Sequence, residues 1–504
     1  MSTLTLLAAT SRTATFRLDA DANQYFLPGS RSWRLLDGDG NSCGEGRTDK
    51  VVFTLVGLQP QKNYRIALED ATICEFKTLA ESALIDITAA GASLDAEDNT
   101  AFIQQAIDTL PAGGTLKVPA GTFLTGPLFL KSHMTLLLED GACLKGLIDR
   151  DRYPILAARH EDGRVLGTWE GVCEPCYASL ITALDCEDLA ITGAGIIDGG
   201  ADGGDWWTWP KETRNGARRP RTVFLSHNRG VLLTGVTVRN SPSWTVHPVL
   251  SRDVVVADLK IENDPYSPNT DGLNPECCRN VLLTGIFFSV GDDCIAIKAG
   301  KRDPKGGLDQ PCEGIAIENC RMERGHGGVV IGSEMSGSVR NVSVRRCSLS
   351  ETDRGLRVKT RRGRGGAVEN ITVEDCVMER VAVPLVINSF YFCDADGRSD
   401  YVQSRSPYPV SDTTPIIRGI TIRNVVADNV AVSAAALYGL PEAPIEDVTI
   451  ENYRVSFDPD AVGDVPDMAL YFEPLRHAGI VTQNTQLSHE ADLTVVSPQQ
   501  STAV

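Results

Sequence analysis

Along the first 80 residues, apolar and polar positions alternate in short runs at 4–7, 13–18, 32–36, 51–55, 64–68 and 73–78, each bounded by Gly, Pro, Asn or Asp. Alternation with period two over runs this short predicts strands, and six of them predict a small β-sandwich over residues 1–80. After a linker at 78–82 the period changes. Residues 98–110 place Phe102, Ile103, Ala106, Ile107 and Leu110 at helical spacing behind a polar Asp98-Asn99-Thr100 start, and Pro111, Gly113 and Gly114 end the run. This predicts one amphipathic helix, with Phe102, Ile103 and Ile107 capping the core of the larger C-terminal region.

From residue 115 onward nearly everything reads as short β-branched strand, and one unit recurs. Its copies begin at Gly230, Asp253, Asn280, Gly314, Asn341, Asn370, Gly419 and Asp447, most of them 23 to 34 residues apart. A fixed period of this size means stacked units, none large enough to bury a face alone. The units contain no helix and lack the Leu and Asn ladder of leucine-rich repeats. The fold class is therefore all-β: a parallel β-helix over residues 83–480 behind the β-sandwich, with 481–504 as a C-terminal tail or cap. Cys320, Cys347 and Cys376 occupy one place in three successive units, which predicts a column of small buried side chains rather than a metal site.

Charge narrows the partners. The 504 residues carry 66 acidic against 48 basic side chains, a net charge of -18, which argues against nucleic acid or an anionic membrane surface as partner. No run approaches the roughly 18 to 20 apolar residues that cross a bilayer. The first 20 residues lack a basic start followed by an apolar core, so a soluble, cytoplasmic protein is expected. The 14 cysteines are accordingly expected as free thiols. Cys173 and Cys176 form the only Cys-x-x-Cys pair, and without a second pair no metal is assigned.

In a stacked coil, residues one period apart become neighbours about 4.8 Å apart on one face. Polar clusters at that spacing form columns. Asn269-Thr270-Asp271, Gly291-Asp292-Asp293, Gly325-His326-Gly327 and Arg357-Val358-Lys359 succeed one another at coil spacing, each at the head of an apolar strand. Taken singly each is also an ordinary turn; four in consecutive coils are not. Three carboxylates, a histidine and two cations on one face suit glycoside hydrolysis, which needs one carboxylic acid and one carboxylate. Adjacent Asp292 and Asp293 repel when both are ionised, which favours a raised pKa on one of them. Arg357 and Lys359 alternate with Val358 and so face outward together. Residues 345–364 hold eight basic and two acidic side chains, a local charge of +6 suited to an acidic sugar; Arg361, Arg362 and Arg364 read equally well as solvated surface. Lys298, Lys301, Arg302 and Lys305 come just after the Asp-Asp turn. His247 and Trp244 are candidates to line a sugar groove, or else a packed Trp and a turn His. Tyr391 is placed to stack on or hydrogen-bond the sugar, and Trp206, Trp207 and Trp209 to wall the groove.

Those four motifs, in that order, resemble the signature motifs of the polygalacturonases, glycoside hydrolase family 28. The resemblance covers roughly residues 83–480. It implies a right-handed β-helix that hydrolyses α-1,4 bonds between galacturonates with inversion and without a cofactor, acting on galacturonan as polymer or oligosaccharide. It further implies Asp292 as general acid, Asp271 and Asp293 activating the water, and His326 supporting their ionisation. Arg357 and Lys359 would hold the substrate carboxylate, with Asn269, Tyr391 and His247 as further binding residues. Val358 stands where the family commonly has Ile, a tolerable apolar swap. Residues 58–64 resemble the turn that a tyrosine corner ties down in fibronectin type III domains. Insertions at 149–179, 201–219 and 393–413 are long for solenoid turns and read as groove walls; with the N-terminal sandwich they resemble the bacterial exo-acting members. The rivals are a hydrolase of xylogalacturonan or rhamnogalacturonan, a calcium-dependent pectate lyase, and a non-catalytic carbohydrate-binding solenoid.

Overall fold

The computed structural model describes residues 3–19, 24–69, 72–304 and 306–496; Lys305 and the last eight residues of the expected tail lie outside the described residues. The N-terminal unit is two antiparallel sheets. Thr3–Ala9, Ala14–Asp19 and Val52–Leu55 form one, and Phe26–Asp37, Ser42–Lys50, Asn63–Leu68 and Ile73–Lys77 the other. Phe16, Leu35, Ile66 and Phe76 fill the space between them. Ser42–Lys50 escapes the alternation pattern because its inward positions Gly44 and Gly46 are glycines. The Trp33 ring lies where their side chains would be: a Cβ at Gly46 would meet it at 2.5 Å. The Tyr64 hydroxyl accepts from the Gln59 backbone N–H at 2.9 Å and ties down the preceding turn.

From Leu84–Asp86 to Leu493–Val496 the chain winds as a parallel coil whose longest sheet has 23 strands. A representative coil runs along one face in Arg252–Ala257, bends, and continues in Lys260–Glu262. It then crosses to a third face, where Leu273 and Glu276 bridge to neighbouring rungs. The repeats begin with Gly, Asn or Asp because the backbone there is left-handed: φ is +69° at Gly230, +56° at Asp253, +56° at Asn280, +55° at Asn341 and +53° at Asp447. Only glycine and, at modest cost, Asn and Asp adopt that conformation routinely. Cys320, Cys347 and Cys376 are buried and stacked, since Arg321, Ser348 and Val377 beside them pair rung to rung.

The helix forms over Thr100–Thr109 and seals the head of the coil with Ile103, Ala106 and Ile107. Phe102 does not join them: it lies off the buried face of the helix, over Gly91, and remains 45% exposed. At the other end the expected tail begins as coil, with Ala478–Gln483, Thr485–Leu487 and Leu493–Val496 still pairing with earlier strands. The N-terminal unit rests on the outside of the long sheet. Arg17 pairs with Glu318 at 2.5 Å, Thr13 meets Thr192 at 2.9 Å, and Val52 packs where a side chain on Gly285 would be.

Candidate active site

The third face runs as one ladder through the site. Val246 bridges Leu273, Leu273 bridges Ile295, and Ile295, Val329 and Leu356 pair in succession. These residues point into the core, so alternation sends Glu276, Lys298, Arg357 and Lys359 outward. Two residues before the ladder, Asp271 and Asp293 fall on successive rungs, with the Gly272 N–H donating to the Asp293 carbonyl at 3.0 Å. Gly327 takes the next rung. Its missing side chain leaves room for Arg357 to approach Asp293, since a Cβ there would lie 3.2 Å from Asp293 Oδ1.

The result is a pocket of about 270 Å³. Lys359 Nζ donates to Asp293 Oδ2 at 2.8 Å, and Arg357 Nη1 lies 3.7 Å from Asp293 Oδ1. Arg357 Nη2 is held by Asp467 Oδ1 at 2.5 Å, while Arg357 Nε and Asp293 Oδ1 are buried without a protein hydrogen bond. Asp292 Oδ1 accepts from the Asp293 N–H at 3.0 Å and lies 3.3 Å from His326 Nδ1. Asp271 Oδ2 accepts from Asn274 at 2.7 Å. Asn269 Oδ1 accepts from the buried Arg219 at 2.6 Å, so its amide nitrogen is the part left to donate to a ligand.

Burial first, and the charge of Asp292 second, push the Asp271 carboxyl up to about 8. Burial acts on Asp292 in the same sense. Its hydrogen bond with His326, and the charges of His326, Lys359 and Lys298, outweigh that effect and hold it down to about 2. His326, bonded to Asp292, is raised in turn to about 9. The raised acid is thus Asp271, one rung away, whereas Asp292 of the adjacent pair is lowered because it faces His326. Lys298 is also held in its charged form, because Glu334, Asp271 and Asp293 outweigh its burial.

Several expected site residues lie elsewhere. His247 does not reach the groove: it is fully buried beneath it, with Nε2 3.0 Å from Glu276 and Nδ1 accepting from Arg221 at 3.2 Å. Burial lowers its pKa to about 4, so the ring is neutral and the Nε2 proton points at Glu276. Trp244, against which it packs edge-on, does line the pocket. Trp206 and Trp209 are buried with Tyr153 and Tyr177 under the 201–219 insertion and wall nothing, and the Trp207 N–H bonds the Ser241 carbonyl at 2.9 Å. Tyr391 lines the pocket, its ring 5.7 Å from the Arg357 guanidinium and 5.5 Å from Lys359 Nζ, so it also backs the two cations. Arg361, Arg362 and Arg364 are neither solvated nor in the groove: they are buried against Asp394, Asp396 and Glu442.

Sequence reasoning passes over Arg219, Glu334, Asp467 and Met468. Lys298 reads there only as a nearby charge, yet the alternation Ile295-Ala296-Ile297-Lys298 already places it outward beside the carboxylates. Glu334, Asp467 and Met468 sit in turns without a periodic signal. Glu170, Lys211, Cys393 and Asp394 bring all three long insertions to the pocket wall.

Residues 116–462 match the profile of the glycosyl hydrolases family 28. The chain is 33% identical over 364 residues to a probable polygalacturonase of Vitis vinifera, covering 71% of each. Its fold superposes on a hyperthermoactive exopolygalacturonase of Thermotoga maritima with a TM-score of 0.66 at 29% identity, covering 82% of this chain and 91% of that one. A family 28 exopolygalacturonase of Yersinia enterocolitica shares the fold over 99% of this chain and 98% of its own, with a TM-score of 0.67 at 20% identity. A right-handed parallel β-helix, a carboxylate-lined pocket on its third face and these matches converge: the chain is a glycosidase belonging to glycosyl hydrolases family 28.

Proposed function

We propose that this protein hydrolyses the α-1,4-galacturonosidic bonds of galacturonan and its oligosaccharides with inversion, working from the non-reducing end. One observation carries the reading: Asp271, Asp292 and Asp293 share a pocket with Lys359 and Arg357. The carboxylates supply an acid and a base, and the cations match a sugar that itself bears a carboxylate.

In the free enzyme Asp271, raised to about 8, holds the proton that an acid–base pair needs. When the substrate carboxylate engages Lys359 and the unpaired Arg357 Nε, it offsets the positive charge that keeps Asp292 ionised, so the proton held by Asp271 passes to Asp292 and leaves Asp271 ionised. Asp292 then donates to the glycosidic oxygen, and His326 at 3.3 Å steadies its charge after the transfer. Asp293 Oδ1, buried and unbonded, accepts the proton of the attacking water, with Asp271 beside it on the neighbouring rung. Asn269, oriented by Arg219, donates to the sugar.

The end-wise mode is supported by the insertions at the pocket wall and by a volume just under the roughly 300 Å³ lower bound of common ligand sites, enough for few sugar units. The Thermotoga maritima relative is itself described as an exopolygalacturonase. Two further readings belong to the same proposal. The N-terminal unit is fibronectin type III-like, supported by its two sheets and the Tyr64 corner. The protein acts in the cytoplasm on short oligogalacturonides, supported by cysteines that stand as free thiols, most of them buried.

Digesting a defined oligogalacturonide and identifying the first product tests the whole. Stepwise shortening from the non-reducing end with a β-anomer formed first is expected. An unsaturated product absorbing in the ultraviolet would instead mark a lyase.

A further inference from the structure

The three inserted segments at the pocket wall meet in a single chain of alternating charges. Lys211 Nζ lies 3.6 Å from Glu170, Glu170 lies 3.6 Å from Lys301 Nζ, and Lys301 Nζ donates to Asp394 Oδ1 at 2.8 Å. Asp394 Oδ2 accepts in turn from Arg361 at 3.1 Å and from Arg364. Lys211, Glu170 and Asp394 come one each from the 201–219, 149–179 and 393–413 insertions, whereas Lys301, Arg361 and Arg364 belong to the turns just after the catalytic strands. Among the described residues only Asp394 touches all three of those cations. They hold its carboxyl well below the usual carboxylate range even though burial pushes the other way.

This geometry reproduces what the working end of the pocket does for a substrate. A carboxylate is seated between one lysine and two arginines on the wall of the same pocket that Lys359 and Tyr391 line. Resting on the end-wise reading, we propose that Asp394 occupies a carboxylate site from within the chain and, clasped by Lys301, Arg361 and Arg364, blocks passage of a longer galacturonan. It is a specificity-determining positioning residue, acting on where the substrate lies and not on the reacting atoms. The far part of the same loop is fixed independently. Arg362 bonds the carbonyl of Ser404 at 2.8 Å, and Gln403 bonds those of Phe390 and Gly397 at 2.7 Å each, so releasing Asp394 frees the start of the segment without unmooring the rest of the loop.

The test uses the full-length enzyme on long galacturonan, comparing the fall in viscosity per reducing end released with the chromatographic product profile. Wild type is expected to release terminal units with little loss of viscosity. Asp394→Ala is expected to raise the viscosity loss per reducing end by about tenfold or more, with intermediate oligomers appearing, while Asp394→Glu keeps the terminal pattern. A folded Asp394→Ala that still releases only terminal units overturns the clasp. Should Asp394→Ala fail to fold, Lys301→Met is read in the same assay: a smaller rise supports the clasp and none overturns it. Internal cleavage by the wild type would defeat the end-wise reading itself, and the clasp with it.

Discussion

The long outer sheet and the third face are built from the same rungs yet treat charge in opposite ways. On the outer sheet, Arg345, Glu374 and Arg423 stack on successive rungs with alternating sign, at 3.3 and 2.7 Å, and Arg340, Glu369 and Arg418 do the same one register away. Their arginines are 43 to 57% exposed, and every carboxylate has a cation on either side. On the third face two carboxylates, Asp271 and Asp293, stack with the same sign, both nearly dry. The first arrangement relaxes charge and leaves nothing to react. The second strips water from Asp271 and sets it beside the charges of Asp292 and Asp293 until it retains a proton near neutral pH, the proton that the proposed hydrolysis would use.

Replacing a charge on the third face should cost chemistry, and replacing one on the outer sheet should cost almost nothing. The largest effect is expected from Asp292→Asn, with kcat down by roughly 10²–10⁴-fold or more and KM little changed; Asp271→Asn and Asp293→Asn should act in the same direction in steady-state assays. Next comes the shared interior. Ile371→Ala, in a fully buried position of the long sheet, should lower unfolding free energy by about 2–5 kcal/mol in denaturant titrations, while kcat at low temperature stays near wild type. Lys359→Ala should lower kcat/KM for galacturonan by about 30-fold, the equivalent of ~2 kcal/mol for a charged hydrogen bond, mostly through KM.

The fourth effect is on pH. His326 is raised to about 9 by its bond to Asp292, so it is protonated below that value and loses its charge above it. Its contribution to folding is complete below the unfolded value of about 6.5 and is lost as the pH rises through about 9. The kcat profile should fall over the same interval, in which Asp271 also gives up its proton at about 8, so His326→Asn should displace that limb without abolishing it. Least of all, Glu374→Ala on the outer sheet should cost ~1 kcal/mol or less, diminishing further in high salt, and leave the rate untouched. A large kinetic effect from Glu374→Ala would erase the contrast between the two faces.

The winding decides how much is legible in the sequence. Gly230, Asp253, Asn280 and Asn341 announce the coil because the backbone turns left-handed where they stand. Residues a period apart then become neighbours, so the four motifs can be read as one face. Lys298 is legible by alternation. Where the period breaks, reading fails. Arg361, Arg362 and Arg364 look like surface because their partners Asp394, Asp396 and Glu442 arrive from segments whose paths no local pattern fixes. His247 sits at an outward position of its strand, yet the segment at 149–179 folds over it, so an outward direction is not a solvent-facing one there. Trp206 and Trp209 are hidden by the same kind of event, a loop that carries its own small core.

The helix at the head of the coil has a consequence for the particle as a whole. A parallel stack of rungs has no intrinsic length: each new layer presents the same unsatisfied edge as the one before, the situation that lets cross-β assemblies grow without limit. Ile103, Ala106 and Ile107 close that growing front with a surface whose backbone is already satisfied by helical bonds, so it offers no template for another strand. Ten residues that take no part in the chemistry thus shield the core of the first rungs from serving as a template at this end of the coil.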